Sequence, residues 1–166
     1  MTAEPVAADL MTSDFSVKTI SNGEVPAVSG EVIVACDNNG DPRYVVYRTG
    51  PGPAVLIPDT TTASEITATP QLASMVYADL PLLVTRASEI IGIITPQALA
   101  AFLAHGTTRA WPDGIDDTRL FGDPEPVSGP IVIHCRCGHA NQYEYYIPGD
   151  PVPCAAGHPL VPEWSR

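Results

Sequence analysis

The sequence predicts an α+β fold with a small metal-binding module at its C-terminal end, and three observations lead to this prediction. Residues 80–106 have the pattern of a strand, a turn, a second strand and a short helix. Residues 31–48 have the pattern of a β-hairpin. Residues 130–166 contain three of the four cysteines and three of the four histidines, which is the clustering expected of metal ligands.

Length and charge limit the class of protein. With 166 residues the chain suits one domain, or one domain with a small appendage. A net charge of −11, with Lys18 as the single lysine, disfavours binding to nucleic acid or to anionic membranes. No apolar run approaches the roughly 20 residues of a membrane span. The acidic N-terminus lacks the apolar core of a secretory signal, so we expect a cytoplasmic protein.

The first hairpin is predicted from its turn chemistry. In C-D-N-N-G-D-P, Asp37 can bond its own backbone and Gly40 tolerates a positive φ, between the strand-like runs E-V-I-V-A-C and R-Y-V-V-Y-R. Cys36 ends the first run and is interpreted as a small core residue rather than a nucleophile. P-G-P at 51–53 is interpreted as a turn, and A-V-L-I at 54–57 as the strand that follows it.

Two helices carry start signals in the sequence. Thr69 followed by Pro70 predicts the start of one helix, and Thr95 followed by Pro96 predicts the start of another. Gly106 predicts the C-terminal end of the second helix, because glycine readily adopts the left-handed cap conformation. The predicted order from residue 54 to residue 105 is strand, helix, strand, strand, helix.

Residues 54–104 resemble a cystathionine-β-synthase (CBS) domain. I-P-D-T-T-T-A-S-E-I is similar to the family's opening strand and helix start, D-L-P-L-L-V to its second strand, and E-I-I-G-I-I-T-P-Q-A-L to its closing element. D-L-M-T-S-D at residues 9–14 and the hairpin at 36–48 are similar to parts of another copy. The resemblance implies β-α-β-β-α repeats packed as a pair over residues 1–105, with 1–50 degenerate and 51–105 better matched. The first repeat is degenerate because the helix expected between residues 20 and 30 is missing from the sequence.

The resemblance also implies a place for a ligand, because CBS domains commonly bind adenosine-containing molecules between repeats. Such a cleft would use Gly92, Ile94, Thr95 and Asp59. The family's ribose-binding acid falls at residue 98, which is Ala98 here, and alanine cannot accept hydrogen bonds from a ribose diol. We therefore expect the pair to serve as a scaffold or dimerisation platform rather than as a nucleotide sensor.

The C-terminal residues carry the sharpest chemical pattern. A strand leads into C-R-C-G-H, a second strand follows at 141–146, and C-A-A-G-H closes the segment. Two ligand pairs separated by a hairpin suit a tetrahedral zinc ion, which could stabilise a module too small to fold on its own core. The possible ligands are His134, Cys135, Cys137, His139, Cys154 and His158.

This segment resembles a zinc ribbon, although its first pair departs from the usual C-x-x-C. We prefer Cys135, Cys137, Cys154 and His158 as the Zn²⁺ ligands and keep His134 and His139 in reserve, since His134-x-x-Cys137 has the usual spacing. The alternatives are reduced cysteines in a loop-rich tail or a Cys135–Cys154 disulfide. Four ligands saturate tetrahedral zinc, so a structural role is favoured over catalysis, for which Glu144 or His139 would be the local base.

Residues 106–129 are rich in proline, glycine and aspartate and are predicted to form a linker between the pair and the module at 130–166. Trp111, Leu120 and Phe121 could pin this linker to the first domain. Asp116 and Asp117 are interpreted as solvated turn acids rather than as a paired-carboxylate site.

Two functions from different classes remain. The first is a non-enzymatic regulatory or adaptor protein, in which the CBS-like pair forms a platform, able to act as a homodimer, and the zinc module docks a protein partner. The second is a sensor that binds ATP, AMP or S-adenosylmethionine in the cleft between the repeats. A zinc hydrolase is a distant third, because Glu144 is its main support.

Overall fold

The computed structural model describes residues 4–21, 24–106 and 130–165. Within these ranges the chain forms three β-sheets and four helices, which confirms the predicted mixture of α and β elements. In chain order the elements are α1 (Ala7–Leu10), β1 (Phe15–Thr19), β2 (Val32–Cys36), β3 (Pro42–Tyr47), β4 (Gly50–Pro53), β5 (Leu56–Pro58), α2 (Ala63–Ala68), α3 (Pro70–Tyr77), β6 (Leu82–Arg86), β7 (Glu89–Ile94), α4 (Pro96–Gly106), β8 (Ile131–His134) and β9 (Ala140–Tyr143).

The first sheet has the strand order β1-β2-β3-β4, in which β1 and β2 are parallel and the other neighbours are antiparallel. The turn between β2 and β3 confirms the predicted hairpin. The Asp37 carboxylate accepts hydrogen bonds from the backbone N–H groups of Asn39 (2.9 Å) and Asp41 (3.1 Å), and Gly40 has a φ of 87°. Local side-chain chemistry therefore fixes this turn as the sequence predicts.

The predicted turn at residues 51–53 is wrong, because these residues belong to strand β4. β4 lies at the edge of the first sheet and pairs with β3 alone, so its two prolines can lack an N–H group without breaking an inner ladder. Gly52 packs against the side chain of Leu80, which leaves no room for a Cβ atom. The proline and glycine content of residues 51–53 favours a turn. Pairing with β3 at the sheet edge and the packing of Gly52 on Leu80 stabilise a strand instead.

The second sheet, with the order β5-β6-β7, repeats the pairing pattern of β1-β2-β3. β5 is parallel to β6, and β6 is antiparallel to β7. Helices α2 and α3 lie in the crossover between β5 and β6, whereas the described residues 24–30 in the corresponding crossover of the first sheet contain no helix. Ala87 and Ser88 turn the β6–β7 hairpin with φ values of 50° and 69°.

The helices begin at the predicted residues. α3 starts at Pro70 and α4 at Pro96, and the Thr95 hydroxyl accepts the backbone N–H of Ala98 at 3.2 Å. α2 begins with a capping box, in which the Thr62 hydroxyl accepts the Glu65 N–H at 3.2 Å and the Glu65 carboxylate accepts the Thr62 N–H at 2.7 Å. Within the described residues, no helix is long and apolar enough to span a membrane.

The N-terminal segment lies against the second sheet. Single backbone bridges join Val6 to Thr62 and Thr12 to Ile93. The Met11 side chain covers Gly92, where a Cβ atom would lie 2.6 Å from the Met11 Sδ. The start of the chain is thus held by residues of the second half.

The C-terminal module, which we define as residues 130–165, shares its core with the rest of the protein. Ile131, Ile133 and Trp164 belong to the same cluster of buried residues as the two larger sheets. The Trp164 ring lies 5.8 Å from the ring of Tyr44 on β3. Two polar contacts add to this packing: Arg43 pairs with Glu163 at 2.9 Å, and the Ser74 hydroxyl accepts the Tyr146 N–H at 3.1 Å.

The predicted linker at 106–129 lies outside the described residues apart from Gly106, which ends α4. Trp111, Leu120, Phe121, Asp116 and Asp117 lie outside them as well. The predicted division at residues 105 and 130 therefore stays a prediction. The strand predicted at 141–146 is shorter in the structure, where β9 spans Ala140–Tyr143.

Candidate metal centre

The first half of the metal centre is a tight turn that follows β8. The Cys135 N–H donates to the His139 carbonyl at 2.9 Å, and the Gly138 N–H donates to the Cys135 carbonyl at 2.8 Å. Gly138 has a φ of 94°, a conformation that side-chain-bearing residues rarely adopt. This turn places Cys135 and Cys137 on the same side of the hairpin.

The second half repeats the same hydrogen bonds. The Cys154 N–H donates to the His158 carbonyl at 2.8 Å, and the Gly157 N–H donates to the Cys154 carbonyl at 2.9 Å. Gly157 has a φ of 86°. The shared sequence pattern is C-x-x-G-H, in which His139 and His158 occupy equivalent positions. The repeat is not among the features predicted above, although the letters C-R-C-G-H and C-A-A-G-H display it.

The two turns bring four ligand side chains together. One ligand atom from each of Cys135, Cys137, Cys154 and His158 lies within 4.8 Å of the others. The Sγ atoms of Cys137 and Cys154 are 3.6 Å apart. Cys135 and Cys154 are each 3% exposed, His158 is half-buried and Cys137 lies at the surface. These are the four residues preferred from the sequence, and together they could hold a metal ion.

Asn141 on β9 ties the two turns to each other. Its side-chain N–H₂ group donates to the His139 carbonyl at 3.2 Å, and its Oδ1 accepts the Ala155 N–H at 2.8 Å. This side chain is buried, so its hydrogen bonds are not shared with bulk water. The sequence does not predict this role of Asn141, because an asparagine on a short strand gives no local sign of a hydrogen bond to residue 155.

The histidines have different roles. His158 Nδ1 lies 2.7 Å from the Pro159 carbonyl oxygen, which can only accept, so Nδ1 carries the proton and Nε2 is left for a metal. His134 and His139 are not among the four clustered residues. Burial, reinforced by the Arg43 charge, lowers the pKa of His134. His139 Nδ1 lies 3.4 Å from the Cys137 Sγ, so His139 contacts one of the four clustered residues without being one of them.

The sulfur atoms influence one another's protonation. A hydrogen bond from the Cys137 backbone lowers the pKa of Cys135 to about 7, despite the opposing effect of burial. At Cys137 the His139 backbone favours the thiolate, but desolvation and the sulfurs of Cys135 and Cys154 outweigh it and raise the pKa. Without a metal, one thiolate therefore opposes the ionisation of a neighbouring thiol. A divalent cation removes this conflict, because it favours all three thiolates at once.

The residues predicted for a nucleotide cleft are not brought together. Ile94 and Thr95 lie at the C-terminal end of β7, where Ile94 is buried in the core. Gly92 lies inside the strand, opposite Val84, and is covered by Met11. Asp59 follows β5 at the opposite end of the sheet and pairs with Arg86 at 2.6 Å. Thr95 and Asp59 therefore lie at opposite ends of the second sheet.

A polar network crosses between the two larger sheets beside Thr95. Gln97 accepts a hydrogen bond from the Tyr47 hydroxyl at 3.0 Å and donates to the Asp79 carboxylate at 2.8 Å. The same carboxylate binds Arg48 through two hydrogen bonds of 3.0 and 3.1 Å. The side chain of Gln97, the neighbour of Ala98 in sequence, thus already has two hydrogen-bond partners.

The other candidates for chemistry are separate from the metal centre. Cys36 is buried in the core, and burial is the main cause of its raised pKa. Such a thiol is a poor nucleophile, as the sequence predicts. Glu144 is exposed and follows β9 without being one of the clustered ligand residues.

Comparison with known proteins gives one structural likeness. No family model matches the chain, and no curated protein matches it. A crystal structure of a CBS domain-containing protein of unknown function from Kribbella flavida DSM 17836 is similar over 59% of this chain and 99% of that chain, with 13% sequence identity and a TM-score of 0.43.

The first prediction concerns the metal ligands. His158→Gln should weaken metal binding by more than about tenfold, because it removes one of four ligands. His139→Gln, the same change at the equivalent position of the other turn, should weaken binding much less, because His139 contacts Cys137 but is not one of the four clustered residues. Metal analysis of the purified chains and competition with a chelator measure both. Loss of metal in His139→Gln with retention in His158→Gln would show that the ligand set is wrong.

The second prediction concerns the Asp79 network. Hydrogen bonding from Arg48 lowers the pKa of Asp79, so its contribution to stability is present above its unfolded-state pKa of about 3.9 and is lost as the pH falls below it. Asp79→Asn should lower the unfolding free energy by up to about 1 kcal/mol at pH 7, because the pair is partly exposed. The asparagine side chain also tolerates the local φ of 56°.

Chemical denaturation at pH 7 and at pH 3 measures this difference, which should shrink at the lower pH. Asp14→Asn is the control, since it makes the same charge change at an exposed residue outside the network. An equal effect of both substitutions at pH 7 would contradict a specific role for the network.

Proposed function

We propose that this chain is a non-enzymatic regulatory or adaptor protein of the cytoplasm, in which a CBS-like pair forms a platform and a structural zinc module docks a protein partner. The observation that carries the proposal is the convergence of Cys135, Cys137, Cys154 and His158 on one point. A set of four protein ligands stabilises a fold and leaves no coordination position for a substrate.

Zinc is the proposed metal because of the donor set. Three thiolates and one imidazole form a common tetrahedral zinc site, and hard cations such as Mg²⁺ and Ca²⁺ prefer oxygen ligands. A catalytic zinc would need an open position and a nearby base. Glu144, the acid considered for that role, is exposed and is not part of the cluster. These features support a structural role.

The CBS-like pair is proposed from the repeated strand pairing. In both larger sheets a first strand lies parallel to a second, which forms an antiparallel hairpin with a third. Residues 56–106 follow the order strand, helices, strand, strand, helix that the resemblance to CBS domains implies. In the first copy, strand β4 follows the hairpin at the place where α4 follows it in the second. Two repeats, the first degenerate, account for this pattern.

The docking role is proposed from the surface beside the metal centre. Tyr145 is 56% exposed and Ile147 is 54% exposed, and both line a cavity of about 330 Å³ together with Trp164. Large apolar side chains at the surface of a small module are typical of contact sites for partners. The charge-free helix α4, whose Leu103 is 41% exposed, supports the further proposal of a homodimer through the pair, which sedimentation of the full chain tests.

The alternative function, an adenosyl-ligand sensor, has less support. Residue 98 is an alanine, the polar groups of Gln97 and Asp79 bond each other, and Asp59 lies at the other end of the sheet. A nucleotide would have to break the Arg48–Asp79–Gln97 contacts and would gain no carboxylate for its ribose.

The third prediction distinguishes these two functions. Millimolar ATP, AMP or S-adenosylmethionine should leave the melting temperature of the zinc-loaded full chain unchanged. A ligand present at about 100 times its Kd would add about 2.7 kcal/mol of stability, which such a measurement detects easily. Zinc removal by a chelator serves as the positive control, because it should lower the melting temperature. A rise with any of the three ligands would favour the sensor.

The fourth prediction concerns docking. If the exposed surface binds a partner, the full chain should retain a protein from a cell extract that a Tyr145→Ser, Ile147→Ser double variant does not retain. Both side chains are exposed, so the variant should fold and keep its zinc. A variant changed at the exposed Tyr77 on α3 is the control, because it removes a similar side chain elsewhere. Equal retention by all three proteins would remove this surface from the proposal.

A further inference from the structure

The sulfur atoms of the metal centre differ in accessibility. Cys137 is exposed, whereas Cys135 and Cys154 are each 3% exposed. The Cys137 Sγ lies 3.6 Å from the Cys154 Sγ, and a disulfide bond is about 2.05 Å long. A movement of about 1.5 Å would therefore join them. An accessible sulfur with a second sulfur beside it is the arrangement of a thiol that responds to oxidants.

We propose that the metal centre is an oxidation switch, in which a peroxide converts Cys137 and Cys154 into a disulfide and the module loses its metal. The inference rests on the zinc site proposed above and names the regulation of that site. It also gives the exposed position of Cys137 a role, since a purely structural centre gains nothing from a sulfur in contact with solvent.

The reaction proceeds in two steps with hydrogen peroxide as the oxidant. The Cys137 thiolate attacks one peroxide oxygen, the O–O bond breaks, and the departing hydroxide takes a proton from solvent to become water. The Cys154 thiolate then attacks the sulfenic sulfur on Cys137, the S–O bond breaks, and a second hydroxide leaves and is protonated. The S–S bond forms with the loss of one electron from each sulfur, and the peroxide oxygens gain both electrons.

The disulfide removes two of the four ligands. Cys135 and His158 remain, and two protein ligands do not hold a structural zinc ion. The change reaches the rest of the molecule through the second turn, since the chain runs from His158 to Glu163 and Trp164, which contact β3. Oxidation should therefore loosen the packing of the C-terminal module on the first sheet.

Cys36 provides a control within the chain. It is 2% exposed in the core of the first sheet and is not one of the four ligands. Peroxide should leave it as a thiol while the metal centre is oxidised. A Cys36→Ala variant should then lose its metal at the same rate as the unchanged protein.

The experiment treats the zinc-loaded full chain with hydrogen peroxide and follows the metal with a chromogenic chelator. For each zinc ion released, two of the four cysteine thiols should be lost. The remaining thiols are counted after unfolding in denaturant. Peptide mass spectrometry without reduction should find the Cys137–Cys154 disulfide. A dithiol reductant with added zinc should restore both the thiols and the metal, because a disulfide is reversible whereas a sulfinic acid is not.

Failure of this inference can be separated from failure of the proposed function. Protein that binds no zinc before treatment would overturn both. Protein that binds zinc and keeps it under peroxide would overturn the switch and leave the structural site intact. A disulfide that contains Cys135, or oxidation of Cys36 before the centre, would overturn the assigned pair. The same zinc release in Cys36→Ala and in the unchanged chain supports the switch.

Discussion

The convergence of three sulfur atoms on one point is the constraint on which the C-terminal module depends. Without a metal, neighbouring sulfurs oppose the ionisation of Cys137, since desolvation together with Cys135 and Cys154 raises the Cys137 pKa although the His139 backbone hydrogen bond lowers it. The backbone of both turns is nevertheless fully arranged by its own hydrogen bonds and by Asn141. The site is thus organised to favour a cation, and a bound metal would turn a repulsive set of ligands into a cross-link between residues 135 and 158.

The effect of that cross-link extends beyond the module. Trp164 packs on Tyr44, and Glu163 binds Arg43, so the residues that follow the second turn contact a central strand of the first sheet. Ile131 and Ile133 enter the shared core from the strand before the first turn. A metal bound by the two turns would therefore connect both parts of the module that contact the core of the first sheet. Loss of such a metal should affect the first sheet as well as the module.

Local chemistry explains what the sequence could predict. The hairpin at 36–48, the helix starts at Pro70 and Pro96 and the ligand set rest on turn residues, caps and spacing that act within a few residues. The sequence does not predict β4, because its edge position and the approach of Leu80 to Gly52 depend on tertiary contacts. The packing of Trp164 on Tyr44 depends on residues 120 positions apart and has no local signal. The repeated C-x-x-G-H pattern could have been found in the sequence.

The position of the N-terminal segment has a consequence for synthesis. Val6 and Thr12 are synthesised before their backbone partners, Thr62 and Ile93. The Met11 side chain likewise has no Gly92 to cover until the second sheet has been made. Residues 6–12 cannot form these native contacts until the second sheet has been translated, so their docking is expected to be a late step of folding. A nascent chain that stalls before β7 would expose this segment to proteases and chaperones.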